Sequence, residues 1–170
     1  MAVLGIDPGS LRTGWGLVET DGSRMSAVDM GVLRPGAGEP LPRRLALLHA
    51  EISRILESYA PEAVAIESVF HGPNVRALVT LGQARGALMA AAGARGVPVL
   101  ELAPAEVKKA VTGRGAASKE QVAHMVGVLL GAETRARLAA ASLPADATDA
   151  LAVAIAAIHR RAHPLLRAGE

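Results

Sequence analysis

Val3-Leu4-Gly5-Ile6-Asp7-Pro8-Gly9-Ser10 and Val64-Ala65-Ile66-Glu67 are two short apolar runs, each ending directly on an acid. Runs of this length rich in Val and Ile read as buried strands, and the strand end is where α/β proteins tend to carry their chemistry. A third acidic feature lies far along the chain, where Asp146 and Asp149 open an Ala-rich segment of helical character. Residues three apart on a helix share a face, so these two carboxylates can reach one place together. If the two strands are neighbours and the helix packs across them, the four acids converge. Two such charges about 4 Å apart repel by about 4 kcal/mol at an effective dielectric near 20, so the cluster calls for cations or raised pKa values.

Each acid also has an ordinary explanation. Asp7 can simply open an Asp-Pro-Gly turn, and Asp146 and Asp149 suit a helix N-terminus, where the macrodipole favours negative charge. Glu67 is harder to dismiss, because Val64 to Ile66 precede it and Val69 and Phe70 follow, and a charge in such a setting needs a partner. The four placements together favour a shared site. A set of oxygen ligands with no His or Cys at metal spacing points to Mg²⁺ or Mn²⁺. Two such ions can activate water on one side of a phosphodiester and stabilise the leaving oxygen on the other, which makes phosphodiester hydrolysis the expected reaction class.

Working outward, the first third reads as three strands, residues 2–7, about 14–19 and about 26–34, joined by turns at Asp7-Pro8-Gly9 and Asp21-Gly22. That spacing predicts an antiparallel meander. Leu41, Leu45, Leu48, Ile52 and Ile55 form one apolar stripe on a helix closed by Pro61. A strand at 63–67, a helix at about 74–94, a strand at 97–101 and helical segments after Pro104 follow. Ser118 and Gln121 make a capping box for a helix to about Leu130, and Pro144 suits the first turn of the last helix. The order predicts an α/β domain over residues 1–158, a mixed five-stranded sheet flanked by helices on both faces. Residues 159–170 are expected to be a partly disordered tail.

The 170 residues suffice for one domain with a full core. There is no cysteine, which excludes disulfides and thiolate metal sites, and the longest apolar run, Ala150 to Ile158, is too short to span a bilayer. With Asp7 inside what would be a signal sequence, a cytoplasmic protein is expected. Net charge is only +2, but it is unevenly spread. Residues 68–100 hold Arg76, Arg85 and Arg95 with no acid, and from Ala105 to Arg137 six bases face three acids. Two divalent ions would take the formal charge from +2 to +6, which suits a polyanionic substrate.

The blocks Gly5-Ile6-Asp7-Pro8-Gly9-Ser10, Ala65-Ile66-Glu67-Ser68-Val69-Phe70, Leu81-Gly82-Gln83-Ala84-Arg85-Gly86, Lys108 to Met125, and Ala145-Asp146-Ala147-Thr148-Asp149-Ala150-Leu151-Ala152 closely resemble the bacterial RuvC Holliday-junction resolvases. The resemblance is collinear over roughly residues 1–158 and departs mainly at 36–40 and beyond His159. It implies a ribonuclease-H-like fold with Asp7, Glu67, Asp146 and Asp149 matching the catalytic metal ligands. It also implies a homodimer that nicks two strands of like polarity in a four-way DNA junction, leaving 5′-phosphate and 3′-hydroxyl ends. Further implications are two Mg²⁺ or Mn²⁺ ions per site, a thymine-containing cognate sequence, and the branch-migration proteins RuvA and RuvB as partners.

Lys108 and Lys119 match basic residues of the family and flank the loop bearing Gly113 and Gly115. Lys119 is the candidate for stabilising transition-state charge and Lys108 for positioning substrate. Phe70, the only phenylalanine, matches a family aromatic at the junction centre and is expected to wedge against or stack on a base beside the cut, with His71 next to it. Arg76, Arg85, Lys109 and Arg114 are further candidates for phosphate contact. His124 is expected in the core, His49, His159 and His163 at the surface, and Trp15 and Tyr59 in packing roles. Three alternatives stay open. One is an ATPase with a first phosphate loop of the actin, Hsp70 and sugar-kinase kind, which would need a second domain. The others are a related nuclease acting on RNA and a junction-binding protein without catalysis.

Overall fold

Strand β1 (Ala2–Asp7) lies at the centre of a five-stranded sheet of order β3-β2-β1-β4-β5. The structure is a computed structural model and describes residues 1–68, 74–140 and 145–162. β1 pairs antiparallel with β2 (Thr13–Asp21), which pairs antiparallel with β3 (Arg24–Leu33), giving the expected meander. On its other side β1 runs parallel to β4 (Ala63–Glu67), which runs parallel to β5 (Val99–Leu102). Helix α1 (Leu41–Tyr59) supplies the crossover from β3 to β4, and α2 (Val75–Gly93) that from β4 to β5. Then come α3 (Pro104–Thr112), α4 (Lys119–Leu129), α5 (Gly131–Ala140) and α6 (Ala145–Ala162).

Side chains alternate across a strand, and here each parity has its own core. Leu4, Ile6, Leu17, Val64 and Ile66 meet Leu48, Ile52 and Leu56 of α1 and Ala84 and Leu88 of α2. Val3, Val18, Ala63, Ala65 and Leu102 meet α3, α4 and a long apolar face of α6. Val3, Leu4 and Ile6 are fully buried, as a central strand covered on both sides must be. The α1 stripe read from sequence packs largely as expected, with Leu45 and Ile55 at its partly buried margin and Leu56 added to its centre.

Glycines set how closely α6 approaches the sheet. A Cβ on Gly5 would stand 2.0 Å from Ala150 O, one on Gly14 1.9 Å from Asp146 O, and one on Gly16 2.7 Å from Leu151 Cδ2. The helix backbone therefore rests directly on β1 and β2, and its facing residues, Ala147, Ala150 and Ala154, are small and fully buried. This contact fixes where the first turn of α6 carries its acids.

Some details differ from the sequence reading. β5 begins at Val99 because the preceding Val97 N–H is taken by Ala92 O, in the turn that closes α2. α4 ends where the capping box and chain pattern placed it, and a further helix not read from the sequence, α5, starts at Gly131, whose φ of 88° a continuing helix does not allow. His124 is exposed on α4, since the inward positions there are Val122 and Val126. Helix α6 runs four residues past the expected boundary at 158, and His159 is partly buried with Nδ1 3.0 Å from Ala110 O. Trp15 and Tyr59 pack on each other, ring centroids 6.3 Å apart. The Tyr59 hydroxyl donates to Asp29 Oδ2 (2.5 Å), and Arg137 of α5 covers edge strand β3 by donating to Val28 O and Asp29. Among the described residues no helix is long and apolar enough to cross a membrane.

Candidate active site

Register brings the first two acids together. β1 and β4 pair Val3 with Ala63 through Ile6 with Ile66, so Asp7 and Glu67 end adjacent parallel strands. Both share the parity of Val3, Ala63 and Ala65 and so face α6. Asp146 and Asp149 lie in the first and second turns of α6, and the glycine-mediated contact sets those turns over the strand ends. One cleft is lined by Asp7, Glu67, Asp149, Lys108 and Lys119, with Val107, Val122 and Ala152 as its apolar floor. Asp146 lies on the far side of Asp7, in an adjoining groove with Arg12.

Asp7 is the electrostatic hub. Burial pushes its carboxyl up to about 7, and the negative charges of Asp149, Glu67 and Asp146 push the same way against the pull of Lys119. Glu67 is also raised, by burial and by Asp149, with Lys119 and Lys108 opposing. Lys119 opens α4, Nζ 3.1 Å from Asp149 Oδ2. That hydrogen bond holds its ammonium above the usual lysine range. Arg12 Nε lies 3.5 Å from Asp146 Oδ2, close enough for attraction but without a hydrogen bond, and Oδ2 is buried with no hydrogen-bond partner. Each α6 carboxylate thus has a cationic neighbour.

The loop after Asp7 is rigid for identifiable reasons. Thr13, fully buried, donates to Gly9 O (2.7 Å) and accepts from Gly9 N (3.3 Å), closing the turn. A Cβ on Gly9 would stand 2.2 Å from Arg12 O, so only glycine fits there. Arg44 of α1 donates from Nη1 to both Ser10 O and Ser10 Oγ (3.2 Å each).

Among the described residues no group of three acids or histidines stands ready to hold a metal ion as placed, because Asp149 turns to Lys119 and Asp146 to Arg12. The donor set nonetheless fits a hard divalent cation: carboxylate oxygens only, crowding that raises Asp7, and one orphaned buried oxygen on Asp146.

The other expected DNA-contact residues divide. Lys108 is half-buried in the cleft. Arg76 is exposed and lines the groove of Asp146. Lys109 faces away, in a hollow with His159 and Arg160, and Arg114 is exposed in the turn after α3. Arg85 is not free for phosphate: it pairs with Glu101 of β5, its side chain largely buried. Phe70 and His71 lie outside the described residues. Arg12, Ser10 and Arg44 were missed by the sequence reading; the available signal was an arginine five residues after the strand-end acid, within the same turn. Gly5, Gly14 and Gly16 were missed as well, though glycines at alternating strand positions mark a close backbone approach.

The family model described as crossover junction endodeoxyribonuclease RuvC matches residues 3–157. The chain belongs to the RuvC family of crossover junction endodeoxyribonucleases. The family's crossover junction endodeoxyribonuclease from Trichlorobacter lovleyi is 50% identical over 94% of this chain and 85% of its own length. That from Chlorobaculum parvum is 45% identical over 95% and 83%. Among solved structures, Thermus thermophilus RuvC in complex with a Holliday junction substrate superposes with a TM-score of 0.85 at 34% identity, covering 95% of this chain and 94% of the other. The mixed sheet with helices on both faces is the ribonuclease-H-like fold of these resolvases.

Proposed function

We infer that this chain is a metal-dependent endonuclease that resolves four-way DNA junctions, with Asp7, Glu67, Asp146 and Asp149 as its metal-binding carboxylates. The observation that carries the reading is the gathering of Asp7, Glu67 and Asp149 with Lys108 and Lys119 in one cleft of a RuvC-family chain. Two Mg²⁺ or Mn²⁺ ions held there would supply an activated water and charge stabilisation for the leaving oxygen. The protein's own groups do the rest. Burial and repulsion from neighbouring carboxylates raise both Asp7 and Glu67, and a cation held between them would relieve that crowding. Lys119 stays protonated and, released from Asp149, lends its charge to the phosphate in the transition state. Lys108, in the same cleft, positions the strand.

Arg76, Lys109 and Arg114 would contribute longer-range attraction for the backbone. Phe70 and His71, three and four residues beyond Glu67, suit contact with bases next to the cut.

Symmetric nicking of two strands of like polarity, with ligatable 5′-phosphate and 3′-hydroxyl ends, requires two such sites. A two-fold homodimer provides them. The outer face of α2 supports that assembly. Val75 and Val79 are 71% and 55% exposed, and Gly82 and Gly86, on the same stripe, have open space where a Cβ would be. Such a surface lets two helices approach closely. RuvA and RuvB are the proposed partners in a cytoplasmic recombination and repair role, and residues 1–158 the proposed nuclease domain.

The test is cleavage of a labelled four-way junction beside a linear duplex of the same sequence, with Mg²⁺, Mn²⁺ or EDTA, for wild type and Asp7→Asn. Paired, ligatable, metal-dependent nicks in the junction alone, lost in the variant, are expected. Junction binding without cutting under any metal would overturn catalysis, and cutting of linear RNA would overturn the substrate.

A further inference from the structure

A second groove leaves the carboxylates on the side away from Lys108 and Lys119. Asp7 and Asp146 stand at its inner end, and Ser10, Arg12, Arg44 and Arg76 line it outward. Among the described residues the acids lining it are Asp7 and Asp146, both part of the proposed metal centre. With those acids committed to cations, three arginines face the groove uncompensated. The N-terminus of α2, a helix of 19 residues capped by Asn74, opens onto the same groove and adds its positive dipole end.

The arginines are not equivalent. Arg44 is fixed: Nη1 is spent on Ser10 O and Oγ, and Nε is buried without a partner. That leaves the Nη2 edge of a planar guanidinium with no partner among the described residues. Arg12 is 59% exposed and held only by its 3.5 Å approach to Asp146, so it is free to turn once that carboxylate takes a cation. A rigid fork, a hydroxyl beside it and a mobile second arginine suit a tetrahedral oxyanion in a chain of such groups.

We propose that Arg44, clamped to Ser10, and Arg12 form a subsite for backbone phosphates of the cleaved DNA strand, holding it across the carboxylates from the side opposite Lys108 and Lys119. The inference rests on the junction-nuclease reading and adds to it a set of positioning residues. The strand is thereby gripped on both sides of the scissile phosphate, which fixes its direction through the site. The competing explanation is that Arg44 serves only to tie the β1–β2 loop to α1.

A neutral-phosphate scan separates the two. Junctions carrying single methylphosphonates along the cleaved strand are titrated in Ca²⁺, which fills carboxylate sites without supporting cleavage, with wild type, Arg44→Gln and Arg12→Gln, over a range of salt. Thermal melts check the fold. Wild type is expected to weaken at one or two phosphates on one side of the cut. Arg44→Gln should bind the unmodified junction about tenfold more weakly, lower the slope of log K against log salt by about one, and be indifferent to the methylphosphonate at the phosphate it contacted. Arg12→Gln, altered at an exposed side chain, should lose sensitivity at the adjoining phosphate even if Arg44→Gln folds poorly. If both variants keep the wild-type methylphosphonate profile and salt slope, the subsite is overturned and Arg44 is a loop tie. If wild type itself shows no preference for the junction, the functional reading fails instead.

Discussion

Gly5, Gly14 and Gly16 lie beneath α6, where an added Cβ would come within 1.9–2.7 Å of its backbone or side chains; Gly82, Gly86 and Gly93 lie along α2, where an added Cβ would meet nothing. In the first set the missing side chain lets a helix sit on a sheet and delivers two acids to the strand ends. In the second it leaves a bare stripe on a helix whose packed side is Ala84, Leu88, Ala91 and Ala92. Glycine in a helix interior costs up to about 1 kcal/mol relative to alanine, so three of them on an empty face suggest that another backbone comes close. One region has already been closed by folding, and the other is open for assembly.

The contact under α6 is least tolerant at Gly14. Gly14→Ala sets its Cβ against Asp146 O, and α6 must lift to admit it. The expected outcome is a loss of about 4 kcal/mol or more in chemical denaturation, together with loss of cleavage. Wild-type stability in this variant would mean that α6 sits farther from β2 than described.

Asp7→Asn should act on chemistry and leave the scaffold intact. Cleavage of the four-way junction is expected to vanish while binding in EDTA persists. The variant should be at least as stable as wild type without metal, since it removes a carboxylate crowded by three others.

The pH dependence sharpens this point. Asp7 titrates at about 7 in the fold against 3.8 unfolded, so between those values the native state holds the extra proton. Stability of the metal-free protein therefore falls as pH rises from about 4 to about 7 and levels off above, at up to about 1.4 kcal/mol per pH unit for one proton. The raised Glu67 adds in the same direction. Denaturation with EDTA across this range checks it, and Asp7→Asn should flatten most of the slope.

The smallest effect belongs to the open glycines. Gly82→Ala should raise monomer stability by up to about 1 kcal/mol through helix propensity alone. Gly86→Leu should leave the monomer folded but weaken the dimer in sedimentation. An unchanged dimer would move the assembly surface away from α2.

How far the sequence could be read depended on the range of the interaction involved. The acids at 7 and 67 were legible because each breaks an apolar run, and the strands before them have a local period. The helix at 119–129 was legible from Ser118 and Gln121, which form the reciprocal cap. His124 was misjudged because a helical period has a phase that only its packing partners set. Arg85 looked available for phosphate because Glu101, sixteen residues on, reaches it only where α2 packs against β5. The Asp146 and Asp149 pair was visible, but not that one faces Lys119 and the other Arg12.

By itself, the sequence determined the order of elements, the two strand-end acids and the acidic turn that opens the last helix. It also carried the likeness to the RuvC resolvases, because periodicity and motif spacing are properties of the chain alone. The tertiary structure decided which acids share a cleft, which cations answer them, and where a second arginine-lined groove leaves the site. Those depend on how near α6 comes to β1 and β2. Three absent side chains set that distance, through a packing contact between residues more than 130 positions apart.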